Sequence, residues 1–579
     1  MIRLARYLKY YRTEVTIGPA FKLLEAIFEL IVPLVMASII DDGIKQGDKE
    51  FILQRGGIIL LLGIAGLIFA LICQYSAAKA SQGFGTRVRD ELFSHINTLS
   101  HAQLDQFGTN SLMTILTNDI NQMQLAVAML IRLVVRAPFL IIGATIMAMM
   151  LDLKLSLIFL VVAPLVSITL YMVMARSVPF YKMRQKALDK ISLLTRESLS
   201  GVRVIRAFAK QETEEERFRL ANEDIAQIAI RVGKISAILN PATFVIMNAA
   251  IIAILWFGGM RVDSGSLSQG EVIAFVNYMI QISLALVVVG NLVVIFTKAS
   301  ASAARINQIF DTRPSLLEGT AEESEDIKRK AKSQLSLKQV CFAYQGSEEY
   351  ALENINIEIK KGETIGIIGG TGSGKSTLIH LLPRFYDVTS GEICFNDVPV
   401  QDYSFDSLRQ EFGIVPQKAV LFYGTITDNI RWAKEDATPE EIKWAIEIAQ
   451  AKEFVESLPD RYDTLIVQGG KNLSGGQRQR ITIARALVRK PAVLILDDSS
   501  SALDYATDAK LRNSLRENCK DMTQIVVSQR ATSIQHADKI YVLEDGKIVG
   551  AGTHQELISS CDVYKEICLS QISSEEVTQ

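Results

Sequence analysis

Long apolar runs alternate with long charged segments over the first half of the chain. Short apolar runs separated by glycine-rich and charged turns follow in the second half. Six runs approach the ~20 mostly apolar residues that a membrane-spanning helix needs: 15–40, 56–78, 126–150, 155–177, 238–260 and 272–297. The segments between them, 79–125 and 178–237, are charged, helix-patterned and nearly free of proline. They predict spanning helices that continue well past the bilayer and join at short turns, near Asp105–Ser111 and Arg206–Glu212. Turns at that distance are placed to dock on a cytosolic domain and pass motion to the helices. The other connections, 41–50, 151–154 and 261–271, are short.

Charge orients this half. Arg3, Arg6, Lys9 and Arg12 precede the first run without an acid among the first 12 residues, and both long segments are rich in Arg and Lys. Positive-inside bias therefore puts the long segments and both termini in the cytoplasm. "MIRLARYLKYYR" alternates apolar and basic residues as an amphipathic helix on the cytoplasmic membrane surface would. Four charges fall in or near the spans. Glu25 and Glu29 share one face of the first helix, and Arg132 and Arg136 one face of the third. Charges at that depth pair, snorkel or face a cavity. Two glutamates on a cavity wall would favour cationic cargo, with Asn240, Asn248, Asn277 and Gln281 as weaker lining candidates.

Bulk composition agrees with a membrane half and a soluble half. Hydrophobic residues make up 49% of 579, and the mean hydropathy is +0.22. The net charge of −2 argues against a nucleic-acid partner. The six cysteines form no CxxC pair and read as reduced thiols. The charged, aliphatic-poor stretch after the sixth span reads as a linker. This gives an α-helical six-span domain over 1–312, a linker over 313–334 and an α/β domain over 335–579.

The strongest chemical signal is "ETIGIIGGTGSGKSTLIHLL". A strand-like run, Thr364 to Ile368, leads into Gly369, Gly370, Thr371, Gly372, Ser373, Gly374, Lys375, Ser376 and Thr377, and then a helix-like run. This is the phosphate-binding loop pattern G-x-x-x-x-G-K-[ST] in the right context. Small residues let backbone N–H groups surround phosphates, lysine neutralises them, and the serine hydroxyl ligates Mg²⁺. Further on, the aliphatic run Val493–Leu496 ends in Asp497 and Asp498, and Asp497 is placed to complete the Mg²⁺ shell. A GTPase, a helicase and a transporter ATPase all remain open at this point. "LSGGQRQR", Leu473–Arg480, supplies a second phosphate-clamping helix start, best used on the nucleotide of another domain.

With that motif the chain resembles a half-transporter of the ATP-binding cassette exporter superfamily over nearly its whole length. Tyr344 matches the adenine platform, Gln417 in "IVPQ" the Mg²⁺ and coupling position, Ser474, Gly475, Gly476 and Gln477 the signature, and Asp504 in "SALD" the loop after the Mg²⁺ aspartate. Glu197–Phe218 is similar to the second coupling-helix region. The resemblance implies ATP and Mg²⁺ held between one phosphate loop and another cassette's signature, and alternating access in the bacterial cytoplasmic membrane.

Two residues depart from the family pattern. Asp498 stands where a glutamate serves as general base, and Gln529 replaces the switch histidine. Losing a methylene retracts the carboxylate by about 1.5 Å, and a misplacement of about 1 Å can cost roughly 10²-fold in rate. Glutamine can hydrogen-bond a phosphate but carries no charge and shuttles no proton. Both fall on the site built on this chain's own phosphate loop, while its signature is intact. The expectation is therefore a slow ATP site and a second, different half-transporter as partner, in an exporter of amphipathic small molecules or drugs. A homodimer, a lipid, peptide or metal-chelate exporter, an importer and a non-transporting regulatory subunit remain as alternatives.

Overall fold

The structure is a computed structural model that describes residues 3–322 and 331–571. It separates into two compact units: Met1–Asn97 with Thr109–Thr312, and Thr98–Gly108 with Arg313–Gln579. Residues 323–330 of the expected linker lie outside the described residues. The described part of that stretch is not free chain: Gly319 and Ala321 donate backbone hydrogen bonds to Tyr403 and Asp402 (3.1 and 2.8 Å).

The first unit contains, among the described residues, six helices long and apolar enough to cross a membrane. They are Leu4–Ile44, Lys49–Thr98, Thr109–Leu151, Leu153–Ser200, Gln211–Asp263 and Gln269–Asp311. The second has 50 residues, about 75 Å at 1.5 Å per residue, more than twice a ~30 Å hydrocarbon core. The expected turn at Arg206–Glu212 is more built than a turn: a short helix, Val202–Ala207, bounded by Gly201 and by Phe208–Lys210.

The sixth helix is the axis of this bundle. Phe275, Tyr278 and Met279 are fully buried, and Phe275 stacks on Phe159 (5.8 Å). The Tyr278 hydroxyl donates to the carbonyl of Leu30 (2.9 Å), and Gln281 Nε2 to that of Glu29 (3.2 Å). At Gly270 a Cβ would sit 2.3 Å from the Ala37 carbonyl, and its N–H bonds Asp41 (3.0 Å). Only glycine permits that approach. By contrast, only 6% of the most apolar stretch of the second helix is buried within the unit. Apolar area on that scale needs lipid or another chain against it.

Two readings of the charges near the membrane change. Glu29 is paired with Arg136 (2.6 Å) and Glu25 with Lys22 (2.6 Å), so neither leaves a free negative charge to attract a cation. Asn248 and Asn277 donate to carbonyls of their own helices, those of Phe244 and Ile273; Asn240 is exposed and Arg132 half-buried. The N-terminal amphipathic segment uses its apolar side within the protein. Leu4 and Tyr7 are buried, Tyr7 meets the Phe84 ring edge-on (6.4 Å), and Arg6 pairs with Glu91 (2.9 Å). That segment is thus a packed continuation of the first helix rather than a free membrane-surface helix.

The second unit holds a six-stranded, mostly parallel sheet and a four-stranded antiparallel one. The strands are β1 Leu335–Phe342, β2 Leu352–Ile359, β3 Thr364–Gly369, β4 Ser390–Phe395, β5 Val398–Pro399 and β6 Phe412–Val415. They continue with β7 Gly424–Thr425, β8 Leu465–Ile466, β9 Val493–Asp497, β10 Thr523–Val527, β11 Lys539–Glu544 and β12 Lys547–Gly552. The orders are β12-β11-β3-β10-β9-β6 and β2-β1-β4-β5, with β7 and β8 forming a separate pair. β6, β9, β10, β3 and β11 run parallel, so they deliver their carboxyl ends to one edge of the sheet.

Arg136→Met leaves the Glu29 carboxylate without its cation, and the expected loss is about 3 kcal/mol. Glu29→Gln combined with Arg136→Met is expected to restore most of it. Thermal unfolding of the two detergent-purified variants checks this; equal destabilisation of both would contradict it.

Candidate ATP site

Four of those strand ends carry the predicted residues. β3 ends at Gly369 and opens the loop to Lys375, and β6 is followed by Gln417. β9 ends at Asp497 and Asp498, and β10 is followed by Ser528 and Gln529. Fully buried aliphatic residues, Ile365, Ile368, Leu494, Ile495 and Ile525, anchor the strands. The edge is therefore fixed by the core, and ligands gather at such edges in parallel sheets.

The loop Gly370–Gly374 bends through left-handed backbone at Gly372 (φ +84°) and Gly374 (φ +95°). A Cβ on Gly370 or Gly372 would meet nothing within 4 Å, whereas one on Gly374 would sit 2.8 Å from the Ala351 carbonyl. The loop is thus closed beneath and open above. Inside it, Lys375 Nζ donates to the carbonyls of Gly369 (3.0 Å) and Gly370 (2.6 Å) and to Ser373 Oγ (3.2 Å). Burial holds the Lys375 pKa below the usual ammonium value. A buried ammonium among neutral acceptors fits an anion entering through the open face. Ser376 Oγ donates to Asp497 Oδ1 (3.4 Å); a hydroxyl beside a carboxylate is the hard-oxygen pair that Mg²⁺ accepts, usually with phosphate and water.

The two carboxylates differ. Asp497 is 7% exposed, and burial, chiefly, raises its pKa above the usual carboxylate value. Asp498 sits in left-handed backbone (φ +43°) and accepts from Gln417 Nε2 (3.3 Å). Burial is again the main cause that raises its pKa. The Gln417 bond, nearby Arg530 and the Gln529 backbone N–H, which bonds the carboxyl, all oppose it. The two positions that depart from the family pattern are therefore hydrogen-bonded to one another. The Gln529 side chain is exposed.

The remaining candidates divide. Tyr344 is 40% exposed, and its hydroxyl bonds Thr377 Oγ1 (2.9 Å). Ser474 caps the helix Gly475–Leu487 in a reciprocal pair with Gln477, and Gly475 is open to solvent on its Cβ side. Asp504 caps the helix Tyr505–Asn518, with Oδ1 accepting from Thr507 N and Oδ2 from Thr507 Oγ1 (2.9 and 2.8 Å). Both of its oxygens serve this local cap.

The sequence reading missed Phe385, Tyr386 and Arg530. The turn expected at Asp105–Ser111 begins inside a helix, His101–Phe107, that belongs to the cassette unit. His101 stacks on Phe385 (4.5 Å), and Tyr386 donates to Asp105 (3.1 Å). Tyr386 also meets the Tyr344 ring edge-on (5.6 Å). An aromatic run therefore links this helix to Tyr344. The adjacent Phe385 and Tyr386 after the P-loop helix were the available signal.

With this geometry in view, two family descriptions match the chain: "ABC transporter transmembrane region" over residues 15–286 and "ABC transporter" over 352–501. It is 38% identical over 569 residues to the uncharacterized ABC transporter ATP-binding protein YfiB of Bacillus subtilis, covering 98% of each chain. The chain belongs to the ABC transporters. It is also 30% identical to an ATP-dependent lipid A-core flippase of Vibrio vulnificus, over 98% of this chain and 96% of the flippase. A solved bacterial Atm1-family ABC exporter with ATP bound shares the fold over 99% of both chains, with TM-score 0.79 and 22% identity. The protein is accordingly an ATPase-coupled ABC transporter of the bacterial cytoplasmic membrane. It has six spanning helices and an ATP- and Mg²⁺-binding cassette.

Because folding raises the Asp497 pKa, its stabilising effect is complete below the unfolded carboxyl value and is lost as pH rises through the folded value. At neutral pH the ionised group is a cost. Asp497→Asn is expected to raise the melting temperature of the nucleotide-free protein at neutral pH. The gain is expected to vanish in acid. Calorimetry at two pH values without nucleotide measures it.

Proposed function

We propose that this chain is the slow-site half of an asymmetric exporter of amphipathic small molecules, with membrane half 1–312, linker 313–334 and cassette 335–579. Tyr344 stacks on the base; Gly369–Thr377 wrap the phosphates, with Lys375 as their counter-charge. Ser376, Asp497 and Gln417 serve Mg²⁺. Ser474, Gly475, Gly476 and Gln477, with Asp504 nearby, face the phosphate loop of a different partner half-transporter.

The observation that carries this reading is the Asp498–Gln529 pair. Asp498 is one methylene short of a glutamate, and its carboxyl is held by Gln417 and by the backbone of Gln529. A carboxylate tied to the ends of the two neighbouring strands is poorly placed to take a proton from an attacking water. Gln529, which carries no imidazole, cannot take over that proton. ATP is thus bound and retained, and retained ATP favours the cassette-paired state by mass action.

Asp498→Glu with Gln529→His is expected to raise hydrolysis at this chain's own site by on the order of 10²-fold, read in a complex whose partner site has been inactivated. The measurement is steady-state phosphate release from the assembled transporter in lipid nanodiscs. A second reading, a homodimer in which Asp498 suffices, is favoured by the carboxylate that remains at the position. It predicts cargo-stimulated turnover by this chain alone; that result would remove the asymmetric proposal. The flippase relative makes a lipid the alternative cargo, and stimulation by a lipid but by no small amphipathic cation would favour it.

A further inference from the structure

The C-terminal helix Asp562–Gln571 lies outside every motif recognised in the sequence, yet it packs beneath the ATP-site edge. Its Tyr564 and Cys568 share a buried cluster with Ile368, the residue before Gly369, and with Ala531 and Ile534. The switch segment after β10 therefore rests on this helix as well as on the sheet. Ser528 holds it to β3 through the Ile367 carbonyl (3.1 Å), and Ser528 Oγ accepts from Arg530 N (2.9 Å).

The last residue of the helix makes a two-point contact with that segment. Gln571 Nε2 donates to the carbonyl of Gln529 (2.6 Å), and its Oε1 accepts from the backbone N–H of Ala531 (2.8 Å). One carboxamide thus satisfies an acceptor and a donor two residues apart, with its NH₂ and its oxygen each used once. The N–H of Gln529 bonds the Asp498 carboxyl, so residue 529 is pinned from both sides.

We infer that Gln571 is a positioning residue of the ATP site: its carboxamide fixes the backbone of the switch segment, and so where residue 529 meets the terminal phosphate. The inference rests on the reading that Gln529 occupies the γ-phosphate switch position. It does not depend on whether the partner is a second copy or a different chain. It makes the C-terminal helix part of γ-phosphate sensing, so a ligand or modification acting on that helix would alter the response to ATP without touching the phosphate loop. A net hydrogen bond stabilises by ~0.5–1.5 kcal/mol, so losing two sets the size of the effect.

The test uses the full-length chain in lipid nanodiscs, with AMP-PNP and ADP as probes in the presence of Mg²⁺. Gln571→Ala is expected to lower the AMP-PNP over ADP affinity ratio by about fivefold, with ADP affinity held within about twofold. Amide exchange in residues 528–535 should accelerate in that variant, with 364–374 unchanged. Gln571→Glu keeps the acceptor for Ala531 and loses the donor to Gln529, so an intermediate ratio is expected. Equal loss of both nucleotides, or unchanged exchange and ratio, overturns the inference. Gln529→Ala separates the two failures. If it lowers the ratio while Gln571→Ala does not, the clamp is wrong and the switch reading stands; if neither lowers it, both are wrong.

Discussion

Lys375 is a buried ammonium whose three hydrogen bonds all go to neutral oxygens of its own loop. Close by lie two carboxylates whose ionised forms burial disfavours. A folded protein tolerates such an edge only if surrounding structure enforces it and a ligand relieves it. The enforcing structure is the parallel sheet, whose aliphatic strands cannot slip without exposing their core faces. The relieving ligand is an anion with a hard cation, which ABC cassettes bind as ATP with Mg²⁺. ATP binding therefore completes the electrostatics of this edge, and the energy of completion is what the exporter can divert into movement.

The aromatic run from Tyr344 through Tyr386 reaches the helix His101–Phe107 within the cassette unit. Tyr386 is bonded to Asp105 and packed on Tyr344, and the helix that carries Asp105 is continuous in sequence with two spanning helices. Burial lowers the His101 pKa, which keeps the stacked ring neutral and the contact with Phe385 apolar. Long helices make the link mechanical. A 50-residue helix carries a displacement at its cytosolic end into the bilayer because it has no break at which to bend.

Much of this was legible because the chemistry is local in sequence. The phosphate loop needs strand, glycines, lysine and hydroxyl in one run, and Thr364–Thr377 supplies them in that order. The six spans were legible because a bilayer demands length and apolarity that little else does. What failed was long-range or shared between roles. The pairing of Glu29 with Arg136 joins the first and third spans, which no local pattern shows, although Lys22 beside Glu25 was within reach at a spacing of three. The N-terminal segment has the amphipathic pattern of a surface helix, and pattern alone cannot say whether lipid or Phe84 covers it. Gln571 was invisible because its partners are backbone atoms, which have no sequence signature.

The departures at Asp498 and Gln529 are better treated as one change than as two. On the proposed slow-site reading, lengthening the acid alone would move a carboxylate that the 529 backbone N–H now holds, and introducing an imidazole alone would leave it beside a carboxylate one methylene short. Each single replacement thus acts on a site still arranged for the other residue, whereas the pair restores both the reach of the base and a group that can exchange a proton. Coupled positions of this kind are non-additive by nature.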